Sequence, residues 1–387
     1  MNSLNNSLSD VVSSFNTLEG LYIYESNYTN VSNVVSENNS GYGVRISGGQ
    51  TNYFSSINLS SNNIAGFAII LSSNNSLFDI SSTKNVQSSG GPSGIFISQS
   101  SNNLVDSVVT VNYTYGIYVA NSTFNTISNV IANFNNYSGV YSLLGSSNNN
   151  YSGIVANFNN YSGVFLIDSG YNYLNNITAN SNQYVGILFS SNSNNLLFNA
   201  TANFNDRTGL HIINSSNNLV DSVFMNSNLV DGLSIVNYSS KNIIRNGILN
   251  NSVNSLNFNL LANDNILENL SLVNTNTSYH DLKFDSDGIN GTTFIDMPYI
   301  GNYSFTGDGG TVIVKDSRYG EIKFLQAVNG SGTNFTNDIR IGNNSATVLS
   351  SSNPGLNRSA NVTLYNIGNR GFTNPAILKD GAICGSG

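Results

Sequence analysis

The sequence is almost without cysteine: one residue, Cys384, in 387. That excludes a disulfide framework and a Cys-x-x-Cys metal site. Charge is scarce too, at 9% of residues, and no basic cluster occurs anywhere in a chain of net charge −8. A nucleic-acid partner and an anionic lipid surface are thereby disfavoured. No apolar run is long enough to span a membrane, and the start "MNSLNNSLSD" lacks the basic and apolar regions of a signal peptide. With two His, three Met and one Cys spread widely, no copper-type centre can be assembled, and the residues imply no metal and no cofactor.

What is present is asparagine, roughly a fifth of the chain, with abundant Ser and Gly. Disorder does not follow, because hydrophobic residues reach 39% and aromatics 11%, enough to bury a core. About two dozen N-x-[ST] sequons fit an exported glycoprotein, although a chain so rich in Asn, Ser and Thr also makes them by chance.

The fragment "NVIANFNNYSGVY" at 129–141 returns 24 positions later as "GIVANFNNYSGVF". Such a period marks a stacked-repeat architecture. A glycine followed by apolar, variable, apolar residues recurs at Gly20, Gly43, Gly66, Gly94, Gly116, Gly139, Gly163, Gly186, Gly209 and Gly232. Spacings of 22 to 24, with one of 28, give rungs of two or three short strands and no helical periodicity. Nine residues after eight of these glycines stand Asn52, Asn75, Asn103, Asn125, Asn148, Asn172, Asn195 and Asn218, read here as a structural ladder. Asn tolerates a tight left-handed corner, and its amide can bond to rungs about 4.8 Å apart. A second column holds Asn133, Asn157, Asn180, Asn203 and Asn226.

The predicted fold is all-β: a single-stranded, right-handed parallel β-helix over residues 1–295, regular over about 15–255 and worn over 256–295. Residues 296–387, richer in Lys and Arg and without the glycine period, are expected to form a small β-rich C-terminal domain or cap.

With the glycine and asparagine columns in view, residues 15–290 resemble the right-handed parallel β-helix repeat family of NosD-like and pectate-lyase-like repeats. The tail from "YGEIKFLQAV" to "DGAIC" is most similar to segments that follow such β-helices in large archaeal surface proteins. That resemblance implies a longer protein, with a partner for Cys384 and an export signal outside this sequence, and an extracellular or cell-surface location. It speaks to fold, because activity belongs to sites and not to folds.

Enzymes resembling this family carry clustered acids, bases or cations on adjacent rungs. From Ser107 to Ile167 there is no Asp, Glu, Lys, Arg or His, so a general acid or base in mid-rod is disfavoured. Asp106 and Asp221 share the "NNLVDSV" pattern but lie five rungs apart, too far for a glycosidase pair. The best enzyme-like group is Asp206, His211, Asp221 and Asp231 with Arg207; scattered surface charge is its ordinary alternative. "DSDGING" around Asp285 and Asp287 departs from a calcium loop at Ile289 and reads as a turn.

One stripe remains. Phe96, Tyr118, Tyr141 and Phe165, two residues past their glycines, should face outward on consecutive rungs and offer ring faces to a sugar chain. Self-stabilising cross-strand packing is the competing explanation. The sequence thus predicts a non-enzymatic surface stalk or adhesion module, with polysaccharide or a neighbouring surface protein as partner. A polysaccharide lyase or glycoside hydrolase with its site near 206–231, and a ligand-free structural spacer, are the alternatives.

Overall fold

The computed structural model describes residues 3–84, 92–371 and 376–383. Cys384 lies outside them. The chain winds as a right-handed solenoid in which each rung contributes one strand to each of two parallel stacks. One stack climbs from Leu21–Tyr24 through Ser93–Ser98 and Ser162–Ile167 to His280–Phe284; the other holds thirteen strands, from Ser7–Ser14 to Ile289–Ile295. Register is strict, so that Ile95, Ile117, Val140, Val164, Ile187 and Leu210 lie directly over one another. All are essentially inaccessible and belong to one core that runs the length of the rod.

The glycine column has a steric cause. A Cβ on Gly163 would fall 2.8 Å from the Gly186 carbonyl oxygen, 2.7 Å from that of Ala156 and 2.7 Å from the Ala179 methyl. Most of the other rung glycines meet the carbonyl of the next rung's glycine in the same way. At this position the backbones approach too closely for any side chain.

The asparagines close the corners. Asn172 Oδ1 accepts the backbone N–H of Asn149 at 2.9 Å, and the backbone N–H of Asn172 donates to Asn195 Oδ1 at 2.8 Å. The pattern repeats from Asn52 to Asn265. Each ladder side chain therefore satisfies a buried donor that a turn would otherwise leave orphaned. The residue before each takes the left-handed conformation, as do Asn74, Phe124 and Asn194.

One member differs from the sequence reading. The rung after Gly139 carries an extra residue, so a count of nine stops one short: Asn148 is exposed at φ 59°, and Asn149 fills the ladder. The second column, Asn133 to Asn226, is bonded in the opposite sense, each side-chain oxygen accepting from the next rung up. A third, fully buried column was not read from the sequence: Asn39 with Asn62, then Asn135, Asn159, Asn182, Asn205 and Asn228. Its signal is an Asn four residues before the rung glycine.

The rungs continue in register through 256–295. Beyond them, Tyr303–Asp316 finishes both stacks and then pairs antiparallel with Gly320–Phe324 and Val328–Gly332. Phe294, Tyr303, Phe305, Phe335 and Leu356 join the same core as the rungs, so this region plugs the end of the solenoid.

Candidate functional site

Outward positions of the glycine-marked stack form columns. One runs Phe96, Tyr118, Tyr141, Phe165, Leu188, His211, Ser234, Asn257, Lys283, each paired with the next. The aromatic members face away from the core but are not free: Phe165 is 6% exposed, and Phe96, Tyr118 and Tyr141 are partly buried. A neighbouring column, Tyr137, Tyr161 and Tyr184, packs over them. Tyr137 and Tyr161 stack at 4.5 Å, Tyr161 and Tyr184 at 4.6 Å, and the Arg207 guanidinium caps Tyr184 at 5.3 Å. Tyr115 stacks on Tyr141 at 4.9 Å.

This arrangement corrects the expectation of free ring faces. Tyr118 and Tyr141 turn their faces to one another at 5.6 Å, while Phe96 on Tyr118 and Tyr141 on Phe165 are tilted contacts at 5.3 Å and 5.1 Å, so ring area is spent on neighbouring rings. Burial pushes up the phenols of Tyr115, Tyr118, Tyr137, Tyr141 and Tyr161, that of Tyr141 to about 12 with Tyr115 and Tyr118 contributing, so these stay protonated. The strip is a band of neutral hydroxyls on an apolar bed. The covering column was missed in the sequence, although the Tyr placed two residues before Gly139, Gly163 and Gly186 marks it.

Where the aromatics stop, the face opens into a hollow of ≈ 250 Å³ lined by Tyr184, Arg207, His211, Asp231, Ser234 and Asn257, among others. The cause is the fall in side-chain bulk along the column, from Leu188 to His211 to Ser234. Asp231 is 4% exposed and accepts from Asn254 Nδ2 at 2.8 Å and Asn257 Nδ2 at 3.3 Å. Burial raises its carboxyl despite those bonds. Both amides are thus fixed with their oxygens turned away from the carboxyl, and neither Oδ1 has a partner among the described residues. Burial, reinforced by Arg207, lowers the His211 imidazole to about 4. Its Nδ1 is buried and has no hydrogen-bond partner among the described residues. Near neutral pH the lining of the hollow therefore holds a neutral imidazole, the Asn257 amide oxygen without a donor and one guanidinium.

Of the four acid–base candidates, His211 and Asp231 line this hollow. Asp206 is exposed at a corner. Asp221 sits on the other stack, bound to Arg245 Nε at 2.8 Å and Asn246 Nδ2 at 3.0 Å. Burial works to raise its carboxyl, but hydrogen bonds from Asn246, Arg245 and Ser222 outweigh that and hold it low. Among the described residues no group of three or more His, Cys, Asp or Glu could hold a metal ion, and no helix is long and apolar enough to cross a membrane.

With two histidines in the chain, an NMR titration is readable. The His211 signal should move with a midpoint about 4; a midpoint near 6.5 would contradict the packed hollow. The sign for stability follows. The folded state binds this proton less readily than the unfolded one, so the contribution is complete above 6.5 and is lost as pH falls toward 4.

Fold and face together define a parallel β-solenoid with a lined hollow on one sheet. The family model described as right-handed β-helix region matches residues 1–152 and 93–253, and the chain belongs to that family. Among solved structures it is similar to the A-module of the Azotobacter vinelandii mannuronan C-5 epimerase AlgE4. Identity is 14%, over 75% of this chain and 90% of that one, with a TM-score of 0.55. The AlgE6 A-module of the same organism gives 12%, 81%, 89% and 0.49. A mannuronic-acid-specific polysaccharide family 6 lyase from human gut microbiota gives 11%, 80%, 85% and 0.49. No curated protein matches at the sequence level.

Proposed function

We propose that this chain is a surface-displayed β-helix that binds polysaccharide without cleaving it, with its principal subsite in the hollow beside Tyr184. The observation that carries the reading is the meeting, on one sheet face, of the tyrosine strip with a hollow whose buried Asn257 oxygen and His211 nitrogen have no partner among the described residues. Sugar hydroxyls donate and accept at once, and they fit such a lining better than a purely apolar or purely cationic ligand does. The Arg207 guanidinium, exposed at the rim, would meet a carboxylate or ring oxygen. A fold shared with an epimerase module acting on mannuronan is compatible with a polysaccharide ligand. Surface location and glycosylation belong to this proposal; exposed sequon asparagines such as Asn199 offer the acceptors.

The test is calorimetric titration of the chain with mannuronan and neutral glucan oligosaccharides. Arg207→Ala and Asn257→Ala should each weaken binding about tenfold, as loss of a hydrogen bond to a buried or charged group does. Binding that both variants retain would overturn the placement. A second reading, cleavage, has one observation in its favour: His211 and Asp231 share the hollow, one neutral near pH 7 and the other biased toward its acid form. Release of new chain ends that His211→Gln abolishes would establish it in place of simple binding.

A further inference from the structure

Around the corner from the hollow lies a second aromatic column with a vacancy in it. Phe134, Phe158, Ser181 and Phe204 occupy equivalent corner positions on four consecutive rungs. Each backbone N–H donates to the matching carbonyl of the next rung: Asn157, Asn180, Asn203 and Asn226. All four adopt the left-handed conformation, with φ between 55° and 59°. Small polar residues suit that conformation, and a phenylalanine there is disfavoured. Yet the three phenylalanines are 50% to 58% exposed, so a large part of each ring remains open to a further contact.

The geometry is that of an interrupted stack. Phe134 and Phe158 lie face to face at 5.1 Å with planes 7° apart. Ser181 leaves the next place without a ring, and Phe204 stands on its far side, two rung spacings or about 9.6 Å from Phe158. A ring seated over Ser181 would lie about 4.8 Å from each neighbour, within the range of ring–ring contact. Its polar edge would be met as well. Asn157 and Asn180 spend their side-chain oxygens on the N–H groups of Asn180 and Asn203, both at 2.7 Å, and their Nδ2 groups donate to no other side chain or carbonyl among the described residues. Gln183 is exposed on the other flank. Apolar faces above and below with amide donors at the side fit a pyranose ring.

We propose that the Ser181 gap is a saccharide subsite that continues the hollow. This rests on the hollow being a polysaccharide site. Tyr184 and Arg207 follow Ser181 and Phe204 by three residues on the same rungs, at most about 10 Å of chain, so one glycan of a few units spans both.

The experiment compares mannuronan and neutral glucan oligomers, from disaccharide to hexasaccharide, on the wild type, on Ser181→Phe and on Phe158→Ala with Phe204→Ala. Ser181→Phe supplies the missing ring from the protein itself, at a position where adjacent rungs already carry phenylalanine, and its melting curve checks that it folds. Disaccharide affinity, set by the hollow, should be unchanged in every variant. The roughly tenfold gain expected on lengthening to hexasaccharide, from one added ring-stacking contact, should vanish both in Ser181→Phe and in the double alanine variant. A length gain that survives Ser181→Phe, or no length gain in the wild type, overturns the subsite while leaving the hollow intact. Failure of the wild type to bind any oligomer overturns both.

Discussion

Gly163→Val is expected to destabilise the solenoid by about 3 kcal/mol or more, the upper range for forcing atoms into a packed interior. The first added carbon alone would sit 2.7 Å from one carbonyl oxygen and 2.8 Å from another, and both belong to backbone held in register by the rungs on either side. A flexible side chain could yield; paired backbone cannot without parting two rungs. Because a solenoid is stabilised by neighbour-on-neighbour contacts, the damage should be local first. Hydrogen exchange should show amides of Ser138–Leu143, Ser162–Ile167 and Val185–Ser190 losing protection before those of Ile266–Val273. Gly368→Ala is the control: nothing lies within 4 Å of its added carbon, and a change under about 0.5 kcal/mol is expected. Equal melting temperatures for Gly163→Val and the wild type would refute the close-approach explanation of the glycine column.

Asn172→Ala is expected to cost about 1 to 3 kcal/mol. The side chain is 1% exposed, and its loss strands the Asn149 N–H in a site closed to water. The Nδ2 bond to the Ser169 carbonyl at 3.2 Å goes with it. Asn148→Ala is the informative comparison. Asn148 was placed in the ladder by spacing but is solvent-facing, so its replacement removes no buried partner. Its cost should be limited to the left-handed backbone, about 1 to 2 kcal/mol. Urea titration of both variants checks the pair, and equal tolerance of Asn172→Ala and of an exposed loop substitution would contradict the ladder.

These two positions also show why the fold could be read from the sequence while the site was only half visible. Glycine and asparagine recur because a single physical demand, close backbone approach or an orphaned corner N–H, is repeated on every rung. Periodicity exposes such a demand directly. A one-residue insertion near Gly145 defeats counting but not chemistry, which is why Asn149 and not Asn148 carries the bond. The site has no such repetition. Asp221 and Asp231 are ten residues apart in sequence, yet that distance is nearly half a rung of about 23 residues and leaves them on different stacks. Phe96, Tyr118, Tyr141 and Phe165 share one column on the side of the sheet away from the central core. Nothing in its own spacing revealed that Tyr137, Tyr161 and Tyr184 lie over it, and depth comes from that packing. The hollow is likewise a consequence of side chains shrinking along a column, a property of neighbours in space.

The most direct measurement is the NMR response of the two histidines to a bound oligosaccharide. His211 lines the hollow, whereas His280 lies three rungs further along the stack. The polysaccharide reading predicts that saturating ligand shifts the His211 resonances, leaves those of His280 in place, and loses the effect in Arg207→Ala. Tight binding with no change at His211 would contradict it and move the site elsewhere on the rod.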